Sequence, residues 1–122
     1  MKARLMFIPI ALALWFVAAC GLQASPDLEA AVESASPGAG LNILDDVGLS
    51  GDGICVVGPY ASAARFEDVT GVAWPEIEET AISDNDDVEL VAVIDAHEVA
   101  AWAIVDRPSG SDLLGGIDRC VQ

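Results

Sequence analysis

VELVAVID from Val88 to Asp95, the pair Ala96-His97, and EVAAWAIVD from Glu98 to Asp106 form the stretch that decides the fold. Both runs are dense in Val, Ile and Ala, and only two residues separate them, which predicts two antiparallel strands joined by a tight turn. Apolar residues fill intervening as well as alternate positions, so both faces of the resulting sheet should be covered. Working outward, Ile54 to Val57 is a short apolar run bounded by Gly51, Gly53 and the Gly58-Pro59 turn, and it reads as a buried strand. Ser62 is placed to cap a helix through Arg65 and Phe66 that ends at Gly71, a residue suited to a left-handed terminus, with Phe66 facing the sheet. Pro75 argues against a central strand in the region from Trp74 to Ile82, whose end reads as extended. Ile117 to Val121 predicts a last strand. The pattern is that of an α+β domain: a small, mainly antiparallel sheet with one or two helices.

The N-terminal end is of another kind. Met1 to Arg4 carries Lys2 and Arg4, and Leu5 to Val17 (LMFIPIALALWFV) is uniformly apolar. That run has the length of a secretory signal core and falls short of the roughly 20 residues needed to span a bilayer. Val17-Ala18-Ala19-Cys20 resembles the lipobox of bacterial lipoproteins, in which an aliphatic and two small residues precede a cysteine. The resemblance implies that residues 1–19 are cleaved and that the Cys20 thiolate is alkylated by a diacylglyceryl group. It also implies that the freed amino group is acylated, so that the protein is held at a membrane of the cell envelope through Cys20. In a cell with two membranes, Gly21 in place of Asp implies the outer membrane, facing the periplasm. The competing reading is an ordinary signal peptide cut nearby, which leaves Cys20 without a role.

Residues 20–40 are expected to be the lipidated cysteine and a flexible tether. Only Leu22, Leu28 and Val32 are large apolar residues there, too few to order the segment. Ser25-Pro26 with Asp27 and Glu29 nevertheless has the form of a helix start, so a transient helix is expected within it. The folded domain is then 41–122, small enough that a covalent staple would matter. Export to an oxidising compartment leaves Cys55 and Cys120 to pair, and a disulfide between them is expected to tie the first predicted strand to the last. The two are not spaced as a C-x-x-C redox motif.

Charge limits the partners. All 20 acidic residues follow Cys20, while only Arg65, Arg107 and Arg119 oppose them and no lysine remains, an excess of 17 negative charges. Such a surface repels phosphate backbones, which excludes nucleic acid. It also repels anionic head groups, so membrane attachment is expected to come from the lipid on Cys20.

Chemical motifs are weak. Gly48-Leu49-Ser50-Gly51-Asp52 departs from G-x-S-x-G, and the lone His97 falls in a predicted turn, so no Ser50, His97 and acid triad is supported. Asp84-Asn85-Asp86-Asp87 with Glu89 offers oxygens for Ca²⁺ but lacks the calcium-loop spacing, and reads as a solvated turn. The glycines at Gly51, Gly53 and Gly58 precede a strand and form no phosphate loop, and one histidine with two paired cysteines makes no zinc set. Trp102 is expected in the core, Tyr60 at the surface, and Trp74 either in a groove or in the core. The three arginines are expected to pair locally. The Cys55-x-x-Gly58-Pro59-Tyr60 segment, the hairpin and Arg107-Pro108 are similar to those of small exported bacterial proteins of unassigned activity. No catalytic residue, metal or cofactor is expected. The leading functional class is a noncatalytic interaction or structural module of the envelope, with a protein partner. The alternative is a small-ligand or cation-binding periplasmic module.

Overall fold

The computed structural model describes residues 23–122, so the expected signal segment and Cys20 lie outside the described residues. The described chain is α+β, with four helices and a four-stranded sheet. Strand β1 (Gly53–Val57) lies between β2 (Val88–Asp95) and the short β4 (Arg119–Val121), and β3 (Glu98–Asp106) lies outside β2, giving the order β3-β2-β1-β4 with every pair antiparallel. The hairpin has the expected bounds. Its turn uses Ala96 and His97 at φ 51° and 63°, because two left-handed residues give the twist that a two-residue connection between strands requires. Asp52 holds this turn: its backbone N–H donates to the Ile94 carbonyl at 2.7 Å and its carboxylate accepts from Ala96 N–H at 2.9 Å.

Period-two alternation sends side chains to two separate cores. Ile54, Val56, Val91, Val93, Ala103 and Val105 meet helices α1 (Pro26–Ser34), α2 (Asn42–Val47) and α4 (Ser109–Leu114) on one face. Cys55, Val57, Leu90 and Ala92 meet Phe66 of α3 (Ala63–Thr70) and Ile77 and Ile82 on the other. Helix α3 begins at Ser62, whose hydroxyl accepts from Arg65 N–H, and ends at Gly71 with φ 76°, as the sequence implies.

Several expectations need correction. Residues 25–40 are part of the domain, not a tether. Ser25 caps α1 by accepting from Leu28 N–H at 3.2 Å, Pro26 takes the first turn, and Leu28 and Val32, one helical turn apart, are fully buried against the sheet. Two large side chains suffice because the surface receiving them is already formed by β2 and β3. Four helices replace the one or two expected, since α2 and α4 have six residues each and are too short to show a period. The end of the region from Trp74 to Ile82 is not extended: the segment forms 3₁₀ turns at Pro75–Glu79 and Ala81–Ser83, which bury Ile77 and Ile82 while Thr80 caps the second. The last strand starts at Arg119 and not at Ile117, because Asp118 at φ 55° leaves the extended region.

Candidate functional site

Cys55 and Cys120 sit opposite one another in the β1–β4 register and are joined by a disulfide. The bond lies on the face covered by α3, where Cys120 Sγ is 3.4 Å from the Val69 carbonyl. It therefore fastens the edge strand of only three residues to the centre of the sheet. Cys20, expected to carry lipid, lies outside the described residues.

The loop bearing Ser50 does approach the turn bearing His97, an approach that sequence spacing did not suggest. Gly51 packs so closely on β2 that a Cβ there would meet Val93 Cγ1 at 2.6 Å, and Asp52 spends a carboxylate oxygen on Ala96 N–H. Ser50 and His97 are both exposed, and no hydrogen bond joins them among the described residues. The Asp52 carboxylate is used on the turn backbone, and among the described residues no hydrogen bond forms the relay from nucleophile to base to acid that acyl transfer requires.

The acids after Ser83 are divided by their roles. Asn85 accepts from Asp87 N–H at 2.9 Å, forming a local turn, and Arg107 binds this turn by donating to the carbonyls of Asp86 and Asp87. Glu89, grouped with these acids in the sequence, turns the opposite way. It is fully buried, its Oε1 accepts from Ser111 N–H at 2.9 Å, and its Oε2 has no hydrogen-bond partner among the described residues. Gly110 makes this possible, since a Cβ there would lie 3.1–3.3 Å from Glu89 Oε1, Val56 and Val91. Glu89 thus fastens the start of α4 to β2. The one sequence sign of it is its place in the 89, 91, 93 alternation, which puts it on a buried face. Among the described residues no three His, Cys, Asp or Glu side chains converge as metal ligands.

Trp102 is only partly buried. Its ring lies 5.5 Å from that of Trp74 at a 57° tilt, and Trp74 in turn lies 5.2 Å from Phe66 at 53°. Tyr60 stands apart and is 58% exposed, as expected. Arg65 and Arg107 act over longer range than expected, whereas Arg119 bonds locally to the Leu114 carbonyl. Arg65 pairs with Asp118, whose other oxygen accepts from Gly58 N–H at 3.1 Å, so one carboxylate joins α3, the end of β1 and the approach to β4. The hydrogen bond that Arg65 donates to Asp118, followed by the charge of that carboxylate, raises the pKa of the Arg65 guanidinium above its ordinary value. Arg107 and Arg119 donate to backbone carbonyls instead of carboxylates.

An open cleft of about 520 Å³ lies between α1 and α2, lined by Ala30, Ala31, Ala35 and Val47 with Asp27, Ser34 and Asp46. It has neither an aromatic platform nor a cationic group. No helix of the described residues is long and apolar enough to cross a membrane. No family model, curated protein or solved structure matches the chain.

Proposed function

We propose that this protein is a lipid-anchored component of the bacterial cell envelope, whose domain is a noncatalytic interaction or structural module. The observation that carries the reading is the sequence Val17-Ala18-Ala19-Cys20 after an apolar run of signal length. The Cys55–Cys120 disulfide supports it, because such bonds persist in compartments outside the reducing cytoplasm. A noncatalytic role is supported by how the reactive groups are used: Asp52 clamps a turn, Glu89 holds a helix, and Asp118 joins three elements.

Metabolic labelling with an alkyne fatty acid tests the anchor. The native chain should take up label and move with membranes, whereas Cys20→Ser should do neither. Equal labelling of both would exclude Cys20 as the lipid site. Calcium tests the module: a cation at 100 times its Kd would add about 2.7 kcal/mol of stability. The melting temperature should respond equally to Ca²⁺ and to Mg²⁺ at matched ionic strength. A calcium-specific rise abolished by Asp84→Asn with Asp86→Asn would place the protein in the cation-binding class.

A further inference from the structure

The chain is fixed in place from Ser25 onward. Ser25 N–H donates to the Trp102 carbonyl at 2.8 Å on the outer edge of β3, and α1 follows with Leu28 and Val32 buried. Cys20 is five residues upstream, so the lipidated Cα can lie no more than about 18 Å from Ser25 even in a fully extended chain. A domain of this size has a radius of gyration of about 13 Å and measures roughly 30 Å across. The anchor therefore enters beside the β3 edge and keeps that edge within about 18 Å of the bilayer.

We propose that the β3 edge, with the adjoining Trp74 and Trp102, is a membrane-facing surface that rests on the zwitterionic head groups of the bilayer holding the protein. The proposal depends on Cys20 being the anchor. The composition of β3 fits it. From Val99 to Ile104 the strand has no charged residue, in a chain where 20% of residues are charged. Exposed edges ordinarily carry charge to deter association. Val99, Trp102 and Ile104 are each only partly buried, and the amphipathic indole ring is suited to the boundary between head groups and water. The exposed acids around this strand, Glu98 and Asp106 at its ends and Asp27 and Glu29 in the first turn of α1, disfavour anionic lipid and select neutral head groups. A second copy adding to the same edge is disfavoured because Ser25 already holds the middle of the strand at Trp102.

The chain from Cys20 provides its own probe. Cys55 and Cys120 are bonded, so Cys20 is its one free thiol, and Trp74 and Trp102 are its only tryptophans. Its Cys20 thiol would be coupled to a maleimide lipid in phosphatidylcholine vesicles containing a brominated acyl chain, and tryptophan quenching measured. Quenching should be severalfold greater than for a Cys20→Ser, Asp68→Cys chain coupled through α3, and should fall when a Gly-Ser spacer of about 20 residues follows Gly21 or when anionic lipid replaces neutral lipid at low salt. Trp102→Phe should remove most of it while leaving the fold intact. Equal quenching from both attachment points, or none from Cys20, would overturn the proposal. Because the coupling is chemical, these outcomes are independent of whether cells lipidate Cys20, which fatty-acid labelling decides separately.

Discussion

Glu89 shows how one residue can mislead a reading by composition and yet govern packing. Beside Asp84, Asp86 and Asp87 it looks like another solvated acid, but strand alternation turns it inward with Val91 and Val93, where it accepts from Ser111 N–H. Glu89→Ala would leave that N–H unpaired and open a cavity, so it should lower unfolding free energy by about 2–4 kcal/mol in urea titration. Glu89→Gln, which keeps an acceptor oxygen, should cost less. Gly110→Ala should also destabilise, by about 1–3 kcal/mol, because three buried neighbours stand within 3.3 Å of the added carbon. If Gly110→Ala were neutral, the close seating of α4 on β2 would be wrong.

At the scale of elements, the hairpin was readable because its two faces are both apolar and its strands are long, whereas its turn residues gave no hint of their conformation. Ala96 and His97 both take positive φ, where Asn-Gly is far better suited. Ala96→Asn with His97→Gly should therefore raise stability by about 1 kcal/mol or more on thermal unfolding. No gain would mean that the clamp by Asp52 already compensates. Helix α1 was half readable. Ser25, Pro26, Asp27 and Glu29 specify where it begins, but whether Leu28 and Val32 are buried depends on a sheet assembled more than 50 residues later. Leu28→Ala separates the two outcomes. It should cost about 2–5 kcal/mol if α1 belongs to the core, and nothing measurable if residues 25–40 are only a tether.

The whole molecule combines a strong charge excess with a covalent fastening. The disulfide closes a separation of 65 residues, for which chain entropy predicts about 4 kcal/mol of stabilisation, so the Cys55→Ala, Cys120→Ala chain should be shifted by about that amount in denaturant. Among the described residues one ion pair opposes the acidic surface. Adding NaCl to shorten the Debye length from about 30 to about 8 Å should accordingly raise Tm by a few degrees through weaker self-repulsion. The sequence by itself determined the hairpin, the bounds of α3 from Ser62 to Gly71 and the pairing of Cys55 with Cys120, because local patterning, capping and the count of cysteines each act without knowledge of distant partners. Tertiary structure alone decided that α1 docks, that Glu89 is a buried fastening for α4, that Asp52 reaches the hairpin turn, and that Arg65 finds Asp118. Each of these contacts joins segments far apart in the chain, and its energy exists only once the sheet has brought both surfaces together.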